Sequence, residues 1–296
     1  EAGGEPLALA DAHAALGSAF FRLGRFEESL ASYTAALGLQ RRSGADALAI
    51  AATQGGLAGV FARQGLATEA VAGYKEAIRL RTQATGGDHP SLAPLFNNLG
   101  VTHKNAGAHA AAVEAYESAL RLKRLAFGED HPDCANTLGN LAVCYGEMKE
   151  WDHALEAYGE ALRITVASHG AEHAQVATLH HNMAAVWSSR GDYERAMEEY
   201  HTALKLRRRN LGYHPSTAST QYNIAQLLAH QGQAVEALAA AEEAQRIYTS
   251  CYGGDHPETI EAAGQVQRMR DKVGGLKGEG DAAAGAPSSG RCCVVA

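Results

Sequence analysis

The sequence has few aromatic residues and no long apolar segment. Phenylalanine, tyrosine and tryptophan together make up 6% of the chain. That is little for a β-sandwich, whose strands favour aromatic and β-branched side chains. No apolar run approaches the ~20 residues that a membrane helix requires. These shortages, together with abundant alanine, favour an all-α protein of closely packed helices.

Cysteine is also scarce, and its spacing excludes two classes of small protein. The count is odd and no Cys-x-x-Cys pair occurs, which argues against a secreted disulfide scaffold and against a structural zinc site. A reduced, cytoplasmic compartment fits this usage better. The five cysteines are Cys134, Cys144, Cys251, Cys292 and Cys293.

The charge pattern gives no reason to expect a nucleic acid partner. The formal net charge is -7, and a mildly acidic chain without a long basic run has no general attraction to phosphates. The positive cluster from Lys205 to Arg209 lies at the predicted end of a helix, where cations favour the helix dipole.

Sequence motifs of catalysis are missing as well. We find no phosphate-binding glycine loop, no His-Glu-x-x-His and no Gly-x-Ser-x-Gly, the arrangements that common enzyme classes require. Five of the 14 histidines occupy a repeated junction, and none stands beside a metal-binding set of carboxylates or cysteines. We therefore predict that the chain is not an enzyme and uses neither a cofactor nor a metal.

One pattern recurs along the whole chain at a nearly constant interval. In its third copy Leu99-Gly100 is followed by Gly107, Ala112 and Tyr116. Successive leading residues are 41, 42, 42, 42 and 41 positions apart, and a regular period of this length indicates a repeat architecture. The leading residues are Leu16, Leu57, Leu99, Leu141, Met183 and Ile224.

Each copy has the pattern of two helices and a turn. In the third copy, Leu95 and Leu99 have helical spacing, a break follows at Gly107, and Ala112 and Tyr116 resume the helical period. A junction in which a glycine precedes His-Pro by two or three residues separates most of the later copies, because glycine ends a helix and proline is tolerated in the first turn of the next. The junctions contain His89-Pro90, His131-Pro132, His214-Pro215 and His256-Pro257, while the fourth in chain order has His173-Ala174.

These residues at these offsets resemble the tetratricopeptide repeat (TPR). The long period and the junction are similar to those of kinesin light chains and nephrocystin-like proteins. The resemblance implies a right-handed α-solenoid of six helical hairpins with a C-terminal cap helix. We expect residues 1–8 to be an N-terminal extension, 9–272 the repeat array, and 273–296 a flexible linker.

The resemblance also implies a function in protein binding. We expect a non-catalytic scaffold whose concave groove holds a peptide or a partner helix. Two alternatives remain open: a structural unit that assembles with copies of itself, and the repeat part of a larger protein. The predicted groove residues are Arg22, Arg63, Asn97, Val101, Lys104, Asn105, Val143, Glu147, His181, Tyr222 and Gln226.

The charge along this predicted groove changes from one end to the other. Arg22, Arg63 and Lys104 give the first three copies a basic rim, and Gly55 and Gly59 give them a floor of small residues. An acidic peptide is therefore the expected ligand, although three solvated cations at helix ends would produce the same pattern. The row of asparagines that begins with Asn98 is interpreted as framework.

The final residues match a lipidation motif. Cys293, two valines and a terminal alanine form a prenylation box. One isoprenoid gives only marginal membrane binding, so we expect palmitoylation of the adjacent Cys292 to supply a second anchor. The predicted result is a cytoplasmic protein tethered to a membrane.

This motif predicts a specific covalent change. In a eukaryotic host, the intact mass should include an isoprenoid on Cys293, and Cys293→Ser should move the protein from the membrane to the soluble fraction. An unmodified terminus, with equal solubility of both forms, would contradict the lipid anchor.

Overall fold

A computed structural model describes residues 4–282 of the chain. Cys292 and Cys293, the predicted lipidation sites, lie outside the described residues. The described part contains thirteen α-helices and one short 3-10 turn at Pro90–Leu92, and no strand occurs in it.

The first twelve helices form six consecutive hairpins, and the thirteenth follows the last hairpin. This confirms the predicted α-solenoid class with six repeats and a C-terminal helix. The helices are α1 (Gly4–Arg22), α2 (Phe26–Arg42), α3 (Ala47–Arg63), α4 (Ala67–Thr85), α5 (Ala93–Asn105), α6 (His109–Phe127), α7 (Pro132–Glu147), α8 (Trp151–His169), α9 (Ala174–Arg190), α10 (Tyr193–Leu211), α11 (Pro215–His230), α12 (Ala234–Tyr252) and α13 (Pro257–Ala282).

The chain divides into two compact units between Gly170 and Ala171. Unit 1 contains the four hairpins from α1 to α8, and unit 2 contains the two hairpins from α9 to α12 together with α13. Within each unit, every helix packs on the next one in sequence. A sequence of local contacts of this kind is typical of repeat proteins.

The ends of the helical part differ from the segments predicted by sequence. The first helix begins at Gly4, within the predicted extension, because Pro6 is compatible with the first turn of a helix. The last helix continues to Ala282 instead of ending near Lys272. Glycine weakens a helix by only about 1 kcal/mol, and the next proline in the sequence is Pro287.

Inside a hairpin, the two helices approach closely where a small residue faces a tyrosine. A Cβ atom added to Gly100 on α5 would lie 2.8 Å from the ring of Tyr116 on α6. Gly17 on α1 has the same relation to Tyr33 on α2. Both tyrosine rings are buried, so the absence of a side chain on the first helix is what allows the ring to fit.

The junction histidines cap the helices that follow them. His89 has extended backbone dihedrals, φ -77° and ψ 129°, as expected for a residue before proline. Its Nδ1 accepts a hydrogen bond from the backbone N–H of Ser91 at 3.2 Å. This confirms the structural interpretation of the repeated histidine and adds a capping role. The corresponding bonds are Asp133 N–H to His131 at 3.2 Å, Gln175 N–H to His173 at 3.3 Å, and Ser216 N–H to His214 at 3.1 Å.

A long cation at one repeated position joins successive hairpins. Lys123, near the end of α6, donates through Nζ to the carbonyl of Asp133 at 3.0 Å and to Thr137 Oγ1 at 2.7 Å, both on α7. One period earlier, Arg81 on α4 donates to the carbonyl of Ser91 at 3.1 Å. Each cation thus satisfies a carbonyl in the first turn of the next hairpin.

The fourth junction departs from this arrangement. One period after Lys123 stands Thr165, whose hydroxyl donates to the carbonyl of Ala161 in its own helix at 2.7 Å. The same junction has Ala174 where the others have proline. The division between the two units falls at this junction.

The packing of tyrosine on glycine generates a stability prediction. Gly100→Ala should lower the free energy of unfolding by about 1–2 kcal/mol, because the added methyl group collides with the fully buried ring of Tyr116. Gly139→Ala on α7 is the matched control, since a Cβ at Gly139 meets no atom within 4 Å. The free energy of unfolding of that variant should rise by up to ~1 kcal/mol, because alanine has a higher helix propensity than glycine. Urea denaturation of both variants measures the difference, and equal stability would contradict the packing account.

Candidate functional site

Unit 1 contains a cleft of about 370 Å³ between α1, α3 and α5. Its walls come from the first helices of three hairpins, and two tyrosines from the second helices close its base. We refer to it below as the cleft, and its lining residues are Phe21, Tyr33, Gly55, Gly56, Gly59, Ala62, Arg63, Tyr74, Asn98, Val101 and Thr102.

Three glycines on α3 form the floor of the cleft, and packing requires two of them. A Cβ at Gly55 would lie 2.9 Å from a methyl carbon of Leu95, and a Cβ at Gly56 would lie 2.6 Å from the ring of Tyr33. At Gly59, in contrast, the nearest atom is the hydroxyl oxygen of Tyr74 at 3.4 Å. Alanine would therefore fit at Gly59, and glycine there leaves space that the fold does not need.

The tyrosine at the base of the cleft is an uncharged hydrogen-bonding group. Burial raises the pKa of Tyr74 to about 12, so the phenol keeps its proton at neutral pH. Because Gly59 has no side chain, the Tyr74 hydroxyl faces the cleft floor. The hydroxyl of Tyr74 thus lies beneath a floor that consists of glycines.

Arg63 supplies positive charge to the cleft. It lies in the last turn of α3 and is exposed. Its guanidinium carbon is 5.8 Å from the ring centre of Phe26, within the range of a cation–π contact. Phe26 in turn packs edge-on against Phe21 with ring centres 6.0 Å apart. The aromatic pair therefore supports the arginine at the edge of the cleft.

Of the predicted groove residues, Arg63 and Val101 line the cleft, as do the predicted floor glycines Gly55 and Gly59. Sequence reasoning missed the aromatic and polar lining. Tyr33 and Tyr74 were not among the predicted groove residues, and Asn98 was assigned to the framework row. The detectable signal was the cluster of three glycines in one helix, Gly55, Gly56 and Gly59, because it exposes what lies behind the helix.

Two other predicted groove residues in unit 1 bond to the next hairpin. Asn97 Oδ1 accepts from Thr137 Oγ1 at 3.5 Å, and Lys104 Nζ lies 3.4 Å from Asn140 Oδ1. Both bonds join α5 to α7. The structure thus places the Lys104 ammonium toward α7, and Lys104 is not among the lining residues of the cleft.

The remaining predicted residues of unit 1 lie outside the cleft lining. Arg22, Asn105 and Glu147 are exposed in the last turns of α1, α5 and α7, and Val143 is half-buried on α7. Of the three cations predicted to form a basic rim, Arg63 lines the cleft, and Arg22 and Lys104 do not.

In unit 2, the predicted groove residues take part in contacts between helices. Tyr222 on α11 donates from its hydroxyl to Glu261 on α13 at 2.8 Å, and it also hydrogen-bonds Gln226. The Gln265 amide donates to the backbone carbonyl of Tyr222 at 3.3 Å. Tyr222 and Gln226 thus belong to the surface that receives α13.

His181 belongs to a buried network around Arg207. The guanidinium Nη1 of Arg207 donates to the carbonyl of Ser216 at 2.7 Å and to Thr220 Oγ1 at 2.6 Å, and it lies 3.2 Å from His181 Nδ1. Arginine only donates, so Nδ1 of His181 accepts and the imidazole is neutral. Burial, reinforced by the charge of Arg207, lowers the pKa of His181 to about 4.

A second cavity of unit 1, of about 360 Å³, lies between α6, α7 and α8. Two pairs of its polar lining residues are already bonded to each other. Arg124 binds both carboxylate oxygens of Glu160, at 2.6 and 2.8 Å, and the Tyr145 hydroxyl donates to Glu117 at 3.0 Å. A ligand there would have to displace these bonds, so the cleft is the better candidate site.

Metal-binding side chains and reactive thiols were sought among the described residues. No group of three or more histidines, cysteines and acidic residues that could hold a metal occurs in that part. Cys134 and Cys144 on α7 are buried, and burial raises the pKa of both thiols. None of the helices in residues 4–282 combines the length and apolar character needed to cross a bilayer.

The family comparison covers nearly the whole repeat region. The model described as tetratricopeptide repeat matches residues 8–83, 49–125, 109–165, 133–209, 175–250 and 216–266. A search of curated proteins found no match.

Similar solved structures have low sequence identity and therefore show the fold alone. BtubC (BKLC) from P. vanneervenii is 24% identical with a TM-score of 0.65, over 78% of this chain and 94% of that one. A putative kinesin light chain of Podosopora anserina with nearly identical TPR-like repeats is 21% identical with a TM-score of 0.59, over 68% and 95%. PilF of Pseudomonas aeruginosa is 17% identical with a TM-score of 0.57, over 90% and 100%.

The network around His181 predicts how stability depends on pH. The folded-state pKa of about 4 lies below the ~6.5 of an unfolded histidine. The unfolded state therefore binds more protons between these values, and stability falls as pH falls through this window. Protonation of this histidine should lower the free energy of unfolding by about 2 kcal/mol between pH 7.5 and pH 5.

His181→Gln tests this assignment, because the amide oxygen of glutamine also accepts from Arg207. The variant should lose most of that acid-dependent decrease in urea-measured stability. An unchanged pH slope, or an imidazole of His181 that titrates by NMR near pH 6.5, would contradict the buried neutral assignment.

Proposed function

Because this chain belongs to the tetratricopeptide repeat family, we propose that it is a non-catalytic scaffold whose cleft binds an extended peptide of a partner protein. Tetratricopeptide repeats generally mediate protein–protein interactions. The proposal adds a place for the binding, namely the cleft of unit 1, and a chemical class for the ligand, namely an acidic or acid-flanked segment.

The observation that carries the proposal is the glycine at position 59. Glycine costs about 1 kcal/mol relative to alanine inside a helix, and packing does not demand it there, since a Cβ would have only an ordinary contact with Tyr74. The space above Gly59 lies between an exposed cation, Arg63, and an exposed amide, Asn98. A binding function accounts for this unfilled floor.

The lining matches the groups of a peptide backbone. The Asn98 amide both donates and accepts, as a peptide unit does, and the phenol of Tyr74 remains protonated. The hydroxyl of Thr102 already donates to the carbonyl of Asn98 at 2.8 Å, which leaves its lone pairs for a ligand N–H. Glycines beneath allow the ligand main chain to approach the helix closely.

The charge of the cleft supports an acidic ligand. Arg63 is the cation among the lining residues, and no carboxylate is among them. A guanidinium recognises a carboxylate through two parallel hydrogen bonds. Exposed ion pairs are nevertheless worth only about 0.2–1 kcal/mol and are screened by salt, so Arg63 should tune the affinity of a peptide held mainly by the floor.

Charge reversal at the cleft tests this function. Peptides selected from a displayed random library should include acidic sequences, and their affinity can be measured by fluorescence polarisation between 50 and 300 mM salt. Arg63→Glu should weaken binding about threefold to tenfold and flatten the salt dependence. Lys75→Glu on α4 makes the same charge change on an exposed residue outside the lining, and it should bind like the wild type.

A second substitution tests the floor. Gly59→Leu should fill the space above α3 and abolish peptide binding, while its better helix propensity preserves the fold. Circular dichroism and urea denaturation verify that the variant remains folded. Peptide binding that survives both Arg63→Glu and Gly59→Leu would show that the ligand binds elsewhere.

A further inference from the structure

The exposed half of α1 is unusually apolar. Leu9 and Leu16 within this helix and Leu23 just after it are 51%, 47% and 70% exposed. The three leucines are seven residues apart and so share one helical face. No Asp, Glu, Lys or Arg occurs between Ala12 and Phe21. We refer to Ala8, Leu9, Ala12, Ala15, Leu16 and Leu23, all exposed, as the α1 face.

In the third hairpin of unit 1, residues equivalent to Leu9 and Leu16 are covered by the helix that precedes them. Leu99, two periods after Leu16, is 6% exposed and packs with Tyr74 and Ala77 of α4. Leu92, two periods after Leu9, is fully buried and packs with Ile78 of α4. Leu9 and Leu16 of the α1 face thus occupy positions that receive the preceding helix in the hairpin of α5 and α6.

A helix with a matching apolar stripe fits this face, as α4 fits the equivalent residues of α5. We propose that it is α1 of a second copy of this chain, packed antiparallel, so that two chains form a symmetric pair. The proposal is independent of the peptide-binding function.

The α1 face is complementary to itself in the antiparallel direction. Rotation about an axis near Leu16 brings Leu9 of one chain beside Leu23 of the other, seven residues from the centre in each case. Alanines at positions 8, 12 and 15 alternate with the leucines, and small residues let two helices approach closely. A two-fold contact of this type closes on itself and does not continue into a fibre.

Charge at the flank of the face specifies the antiparallel direction. Asp11 and Arg22 are both exposed and lie on the same side of α1. They stand five residues before and six residues after Leu16. An antiparallel partner therefore brings Asp11 of each chain close to Arg22 of the other, whereas a parallel partner places these same-side residues on opposite sides of the contact and forms no such pair.

A head-to-tail arrangement fits the residues less well. The exposed side of α13 includes Glu261, Arg268, Arg270 and Asp271, and such a polar surface suits solvent, as the outer face of a terminal repeat usually does. A contact of one helix on one helix is smaller than the ~1,200–2,000 Å² of standard interfaces. We therefore expect a weak dimer, with a Kd on the order of micromolar.

Sedimentation velocity of the full chain from about 1 to 200 µM tests the pairing. The wild type should shift from monomer to dimer, and Leu16→Lys should raise the Kd about tenfold or more, because the two-fold axis places two charges at the centre. Leu125→Lys on α6 is the matched control, since Leu125 is 63% exposed and lies away from the α1 face. It should dimerise like the wild type.

Charge exchange tests the direction of the helices. Asp11→Arg should weaken the dimer, and the double variant Asp11→Arg with Arg22→Asp should restore it, since the pair is re-formed with its signs exchanged. A chain that stays monomeric at all these concentrations would overturn the proposal. Equal effects of Leu16→Lys and Leu125→Lys, or a double variant no better than Asp11→Arg, would overturn it as well.

Discussion

The close approach of the two helices in each hairpin is the constraint on which the rest of the structure depends. A tyrosine on the second helix fits only because the first helix presents glycine or alanine to it. Gly100 faces Tyr116, and Ala58 shares a cluster with Tyr74. The tyrosine then reaches the following hairpin, as Tyr116 does in packing with Leu141. One tyrosine in each of the first five repeats thus contributes to the spacing both inside a hairpin and between hairpins, and the sixth repeat has Ala241 at this position. Few aromatic residues are therefore enough.

The same close approach of helices accounts for the cleft, because three residues of α3 that face it are glycines. At the position where later copies have Asn98, Asn140, Asn182 and Asn223, the second copy has Gly56. The ring of Tyr33 comes within 2.6 Å of where a Cβ of Gly56 would stand, so a larger residue is incompatible with this packing. Gly55 and Gly59 on the same helix then leave a space between α1 and α5 whose base is formed by the buried Tyr33 and Tyr74. The candidate site is therefore a local variation of the repeat packing and needs no added loop or domain.

The hairpins could be predicted from the sequence because a period repeated six times averages out local uncertainty. The capping histidines were assigned to the junction, although the sequence did not reveal that Nδ1 accepts from the backbone two residues later. The repeat pattern could not predict where long polar side chains point. Lys104 has the spacing of a groove residue, yet its flexible chain ends beside Asn140, and His181 is drawn into hydrogen bonds by the buried Arg207. Long polar side chains follow the nearest unsatisfied partner, and that partner is fixed only by three-dimensional packing.

The cleft and the α1 face make use of different sides of one helix. Phe21 of α1 lines the cleft, and Leu9, Ala12 and Leu16 lie on the exposed half of the same helix, away from the buried Ala10 and Gly17. Pairing through that face would therefore join two chains without filling either cleft. A ligand with two acidic segments could then bind both clefts, and the second binding event would profit from the raised effective concentration that multivalency supplies. Under that arrangement, two weak contacts of the kind expected at an exposed Arg63 would together hold such a ligand more tightly than either one alone.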